Sequence, residues 1–446
     1  MTGEQGAGAS AGTDRPDPGT HPPDGPHASI VLMARIRATG VAPAQVSSEV
    51  VAAAAVAAAA VDRQLVEVVS PTGARREFVL GWTQGAAPDP TQHPSAPPRT
   101  LSAVPYLVWA ACLAAAWPDP TAPPYPGRPF ARAQVLRTCV GLGAHDDAVV
   151  RALDGSLPQA GLITAAGAIR RLGPAVAALP GSVWSALTRF HDRLPRLAPR
   201  PTPSKELPVG CEAAAGAQGP AGGRKVPAPQ PGPLGVNESI VRAAAAALEM
   251  ARGAVARTDV PALADPALRR SLEHSLAACG RILISTPEGN WITGFPDSVA
   301  DVLVEAEAGT LSRTERAVLA LVLLRTVAIP RAHGHHHHEH WTVTTRPTTI
   351  DELATNRRLT RRQIRDGVRG LRAAGYLATT KAGHYVPGPA LQRIGAARAA
   401  SLWEDLVLLG RPDGHMAAKI RSRRELLRPN AGRPSAMSET DSGSQG

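Results

Sequence analysis

Arg361, Arg362, Arg365, Arg369 and Arg372 recur at the spacing of one side of an α-helix. Successive helical residues turn by about 100°. With Ile364 set at zero, Val368 and Leu371 fall within roughly 40° of it and form an apolar stripe, while the five arginines fall between roughly 60° and 160°. Asp366 alone is close enough in sequence to neutralise them; Arg357 and Arg358 precede the stretch and Lys381 follows it. Guanidinium groups keep their charge and match phosphate oxygens with paired donors. Most charged helix faces are merely solvated, but this one has a single sign and follows a helix and a turn. Its expected chemistry is contact with a nucleic-acid backbone, which sets register and makes affinity salt-dependent.

A second concentration of chemistry-bearing side chains is His333, His335, His336, His337, His338 and His340, with Glu339 among them. Imidazoles this dense can bind zinc, nickel or copper. A metal centre also needs fixed geometry and outer-shell support, which a run of histidines in a loop does not supply. His338-Glu339 does not continue to the HExxH pattern, because Thr342 stands at its last position. A variable surface loop is the better reading, and no metal or other cofactor is expected. Nor is an enzyme: there is no phosphate-cradling glycine loop, dinucleotide fingerprint or nucleophile elbow. The acidic pairs Asp146-Asp147 and Glu404-Asp405, and His191-Asp192, suit helix ends or surface charge.

The arginines need elements to hold them. Thr348 or Thr349 is placed to cap a short helix, with Asp351 and Glu352 in its first turn and Ile350, Leu353 and Ala354 as its apolar face. A tight turn at 356–359 follows, and Thr360 caps a second helix that runs to about Ala374, where Gly375 stops it. Two short alternating runs, 376–381 and 384–387, flank Ala382-Gly383 and predict a hairpin. Upstream, Ser312 with Glu315 forms a capping-box pattern at the start of an apolar helix to about Ile329, and 341–344 would be a small first strand. This plan, over residues 311–394, resembles the winged-helix family. The resemblance implies that the second helix of the helix-turn-helix enters the major groove. It equally admits a protein-interaction role, since fold does not fix function.

A weak internal repeat extends the plan. Gly161-Leu162-Ile163 followed by Leu172-Gly173-Pro174-Ala175-Val176 mirrors Gly375-Tyr376-Leu377 followed by Pro387-Gly388-Pro389-Ala390-Leu391. Upstream, Val150, Leu157 and Ala160 stand in the places of Ile364, Leu371 and Ala374. Helices are expected at 104–117, 131–143 and 146–159, giving a second winged helix. There Asp147, Ala148, Gly155 and Pro158 replace Arg361, Arg362, Arg369 and Arg372, and Arg151 alone matches, at the place of Arg365. This copy is expected to pack, dimerise or bind a partner rather than read nucleic acid.

The predicted fold class is mainly α with small β-wings (α+β): tandem winged helix-turn-helix domains joined by a Pro/Gly-rich linker. The expected divisions are a disordered tail at 1–27, a small helix-plus-hairpin unit at 28–83 and a Pro-rich linker at 84–100. The degenerate winged-helix-like domain follows at 101–196, then a Pro/Gly/Ala-rich linker at 197–236 and a helical segment with a hairpin at 237–310. The winged-helix DNA-binding domain with its C-terminal helix occupies 311–410, and a basic, then disordered, tail 411–446. Within 28–83 the expected elements are a helix at 44–62 and strands at 65–69 and 77–82. The 391–409 helix offers Ile394, Leu402, Leu406 and Leu409 for packing, and flanking helices of the family often dimerise, so a homodimer is expected.

At 446 residues with a net charge of +11, the chain suits two or three domains and a polyanionic partner. Aromatic content of 3% disfavours stacking platforms for single strands. The apolar runs at 50–61 and 102–117 are too short to span a bilayer, and four scattered cysteines suit a reducing compartment. The resulting expectation is a cytoplasmic bacterial protein that binds double-stranded DNA as a transcriptional regulator. Arg357, Arg358, Arg361, Arg362, Arg365, Arg369, Arg372 and Lys381 would form its contact surface. The alternative is a non-enzymatic tandem winged-helix scaffold, such as an accessory subunit of a chromosome-organising complex.

Overall fold

The computed structural model describes residues 26–70, 75–83, 101–164, 168–198, 224–227, 235–251, 253–286, 288–333, 344, 346–356 and 358–427. It is mainly helical, with small antiparallel sheets. No helix among the described residues is long and apolar enough to cross a membrane.

Four segments share one order of elements: a helix, a short strand or single bridging residue, one to three helical pieces, then a hairpin whose second strand pairs back to that first residue or strand. The first unit comprises α1 (Pro26–Thr39), β1 (Ala42–Pro43), α2 (Ser48–Ala59), β2 (Arg63–Val69) and β3 (Arg76–Trp82), in sheet order β1-β3-β2. Sequence patterning predicts no helix before residue 44, yet α1 forms, because Ser29, Leu32, Met33 and Ile36 line one side of it and are buried.

The second unit comprises α3 (Ala103–Ala116), β4 (Phe130–Ala131), α4 (Arg132–Gly141) and α5 (Asp146–Arg151). From α5 the chain continues through a π-turn (Ala152–Ser156) into α6 (Leu157–Gln159) and β5 (Ile169–Arg170), which pairs with β4. An isolated Ile163–Leu172 pair closes its hairpin, and α7 (Pro174–Ala177) and α8 (Gly181–Arg189) follow. Strand β6 (Arg224–Lys225) then adds to the free side of β2.

The third unit comprises α9 (Val236–Met250), α10 (Pro261–Ala264), α11 (Pro266–Ala278), β7 (Ile282–Ser285) and β8 (Trp291–Gly294), with Val255 pairing to Trp291. Helix α12 (Asp297–Glu305) leads to the fourth unit: α13 (Arg313–Leu323), a π-turn (Leu324–Ala328), α14 (Ile329–Ala332), α15 (Ile350–Ala354), α16 (Arg361–Ala373), β9 (Leu377–Thr379) and β10 (Tyr385–Pro387). Of the first strand predicted at 341–344, residues 341–343 lie outside the described residues; the residue that pairs with the hairpin is Thr348, opposite Tyr385. A 3-10 turn (Pro389–Arg393), α17 (Ala396–Gly410) and α18 (His415–Leu427) complete the described chain.

The second and fourth units agree hydrogen bond by hydrogen bond. Gly161 and Gly375 both take a left-handed φ, +69° and +81°. Leu162 N–H donates to the Leu157 carbonyl at 3.0 Å, and Tyr376 N–H to that of Leu371 at 2.9 Å. Gly173 N–H reaches the Leu162 carbonyl and Gly388 N–H that of Tyr376, both at 2.8 Å. The first and third units also correspond: Ala42 pairs with Phe78 as Val255 pairs with Trp291, and Ser47 and Asp265 each cap the helix that follows. Even the joints match. A Cβ added at Gly81 would strike the Ala178 carbonyl, and one at Gly294 the Arg393 carbonyl, each four residues beyond Pro174 or Pro389. Among the described residues, the first and second units thus parallel the third and fourth.

One sequence correspondence shifts. Val149, not Val150, takes the place of Ile364: Val149 N–H bonds the His145 carbonyl as Ile364 N–H bonds that of Thr360, and both side chains are fully buried. The π-turn supplies the cause, since it accommodates one extra residue before Leu157. Arg151 consequently no longer matches Arg365, and Asp146 and Asp147 fall at the places of Arg361 and Arg362.

The largest core does not follow chain order. It joins α1 and α2 to α9, α10 and α11 through Met33, Leu65, Leu248, Leu263, Leu272 and Leu276. Residues 28–83 and 237–310, expected as separate units, therefore share one interior, and the predicted 197–236 linker contains β6. Val66, Val68 and Val79, on the other face of the β2–β3 hairpin, pack on the second unit. In the central core Glu249 receives Arg37 at 2.6 Å and Arg63 at 3.1 Å, all three nearly buried. Burial opposes the charge on Glu249, but the two guanidiniums outweigh it and hold the carboxyl below the ordinary glutamate range. In the fourth unit, Leu402 and Leu406 of α17, with Ile394, pack on Leu323 and Val327, so these residues are not a free dimerisation face. Residues 415–427, expected in a tail, form α18; Arg424 pairs with Glu404 and Asp405 at 3.1 and 2.8 Å, and Arg423 also pairs with Glu404.

Candidate nucleic-acid interface

Local chemistry fixes both α15 and α16. Thr349 caps α15 by accepting from Glu352 N–H at 3.2 Å, and the Glu352 carboxylate accepts from Thr349 N–H at 3.0 Å. The Thr348 hydroxyl adds a third bond to Glu352, and together these hold its carboxyl below the ordinary range. Thr360 and Gln363 repeat the capping box on α16, and Ser312 and Glu315 do so on α13. In the turn, Asn356 Oδ1 accepts from Arg358 N–H at 2.9 Å.

Ile364, Val368 and Leu371 seat α16 on Val318, Val322, Leu353 and Leu377. Two glycines permit the close approach. A Cβ at Gly367 would lie 2.9 Å from Val318 Cγ2, and one at Gly370 would strike the Glu315 carboxylate. Each glycine costs a helix interior about 1 kcal/mol relative to alanine, which the packing offsets.

The opposite side of α16 faces solvent. Arg361, Arg362, Arg365, Arg369 and Arg372 are all exposed, as are Arg358 in the turn and Lys381 at the hairpin tip. Arg361 pairs with Asp351, and Asp366 receives Arg369 at 3.2 Å and Arg362 at 3.8 Å. Exposed pairs of this kind contribute about 1 kcal/mol or less, so phosphate can displace them. Arg365 and Arg372 form no ion pair among the described residues. Arg357 and the cluster His335, His336, His337, His338 and His340 lie outside the described residues. His333 ends α14, its Nδ1 2.8 Å from the Ile329 carbonyl.

Sequence reasoning missed Arg325, which lies in the apolar α13–α14 segment and donates to the Thr355 hydroxyl at 2.5 Å, at the end of α15. A lone arginine among leucines gives no positional signal. The three helices that correspond to α16 carry no such face. Helix α2 has no arginine or lysine, and the α5–α6 segment opens with Asp146 and Asp147. Helix α11 has Arg269 and Arg270, with Arg269 stacked 5.2 Å from the Trp291 ring and 4.0 Å from Glu273. Of the other acidic and histidine positions, His191 Nε2 lies 2.7 Å from the Trp117 carbonyl, and Glu404 and Asp405 pair with Arg424.

No protein-family model matches this chain, and neither does any curated protein or solved structure.

Proposed function

We propose that this chain is a DNA-binding protein, acting as a cytoplasmic transcriptional regulator, and that its fourth unit works as a winged helix-turn-helix. The observation that carries the reading is α16: it spends its apolar stripe on α13 and presents arginine on the solvent side with weak or no internal partners. A rod of this kind, about 10–12 Å across with its side chains, fits a major groove. The β9–β10 hairpin with Lys381 would lie against the adjacent backbone. Reversing charge at Arg365 and Arg369 together should lower duplex affinity roughly a hundredfold near 0.15 M salt and flatten its salt dependence. Fluorescence anisotropy on the full chain measures both. Unchanged affinity would mean that α16 is not the docking face.

The rival reading, a non-enzymatic scaffold, draws on the three units whose corresponding helices lack an arginine face. Recovery of a stable stoichiometric protein partner, with no sequence preference on DNA, would favour it.

A further inference from the structure

From the division of the α16 side chains around its axis we infer that this helix reads guanine: Arg362 and Arg369 take guanine edges in the major groove, while Arg365 and Arg372 hold phosphates along one wall. The inference rests on the DNA-binding reading above.

The buried side of α16 is defined by Ile364, Gly367, Val368 and Leu371. Directly opposite, within roughly 30° of the outward pole, stand Arg362, Asp366 and Arg369, whereas Arg361, Arg365 and Arg372 lie roughly 70–110° round on one flank. The pole of a helix in the major groove points at base edges, and its flank points at the sugar-phosphate wall. Exposure agrees, since the Arg362 and Arg369 side chains are 93% and 78% accessible.

Asp366 supports the same division. A carboxylate aimed at phosphates would be repelled, whereas among base edges it can accept from a cytosine amino group. It also lies between Arg362 and Arg369 in sequence and makes ion pairs with both, which limits the rotamers their forks must lose on binding.

Adenine is disfavoured for a separate reason. Its two-point partner is an asparagine or glutamine, and α16 contains Gln363 but no asparagine. Gln363 is occupied: its Oε1 accepts from the Thr360 N–H at 2.9 Å and from the Thr360 hydroxyl at 3.0 Å. Arginine, whose fork matches guanine O6 and N7, remains. Seven residues separate the two polar arginines, a rise of roughly 10.5 Å, or about three base-pair steps of 3.4 Å.

The test starts with selection of duplexes from a random pool by the full chain, followed by replacement of selected guanines with 7-deazaguanine, which lacks the N7 acceptor. Enrichment of two guanines about three steps apart is expected. Either replacement should weaken the wild type about tenfold. Arg362→Ala should become insensitive at one of the two positions and Arg369→Ala at the other, and Arg372→Ala should weaken all duplexes alike. Each variant's circular-dichroism melt shows that it folds. Duplex binding without guanine enrichment, or without a 7-deazaguanine effect, overturns the inference and leaves DNA binding standing. Failure to bind any duplex removes both.

Discussion

Under the proposed reading, Asp366 is the residue where charge and selectivity oppose each other. It is half exposed, shares its carboxylate between Arg362 and Arg369, and brings a negative charge toward any polyanion. Asp366→Asn should raise affinity for arbitrary duplexes severalfold at low salt, because repulsion is removed, and should narrow the gap between preferred and scrambled sequences. Anisotropy titrations with both duplexes measure this; a widened gap would assign Asp366 no part in selectivity. Thr360 acts on structure instead. Thr360→Ala removes the side-chain acceptor for Gln363 N–H and should cost about 1 kcal/mol in denaturant unfolding of the fourth unit. Caps of this kind are legible in sequence because donor and acceptor lie three residues apart. The pairing of Arg361 with Asp351 is not, since it depends on how the turn folds one helix back beside the other.

At the scale of elements, α16 was legible because its stripe, cap and stop are all local: Ile364, Val368 and Leu371, then Thr360, then Gly375. The glycines inside the stripe read as weak helix positions, and only the approach of α13 explains them. Gly367→Leu should overpack that contact by about 1–3 kcal/mol, lowering the melting temperature and the duplex affinity together. Undiminished stability would show that Val318 can move aside. The shift of Val149 was illegible for a physical reason: a π-turn adds a residue without any change in composition. Helix α18 was hidden by its own charge. Its arginines read as a solvated tail until Glu404 and Asp405 are brought beside them. The likeness left a sequence trace in one pair of units, where Gly-Pro-Ala recurs; in the other the shared features are a backbone pairing, a cap and one joint glycine, too few to read from sequence.

At the scale of the whole molecule, two assemblies are held together through their first units. Glu249 lies in that junction, and replacing it leaves Arg37 and Arg63 buried without a counter-charge. Glu249→Gln should cost about 3–5 kcal/mol, read from the urea midpoint. The same carboxyl makes stability pH-dependent. Its folded-state pKa is below that of the unfolded chain, so the contribution is complete above the ordinary glutamate range and is lost as acidification carries the pH down through the depressed value. A urea midpoint measured at successively lower pH should fall in the wild type, and less steeply in Glu249→Gln.

If the proposed reading holds, one chain should engage one site, because α16 alone has an arginine face among its counterparts, and a binding titration with a short duplex should saturate at one to one. The core shared by the first and third units has another consequence. An engineered protease site at residue 205 would divide the covalent backbone between halves whose greasy surfaces are pressed into each other. Such a nicked molecule should still elute from a sizing column as a single peak, while either half made by itself should be insoluble.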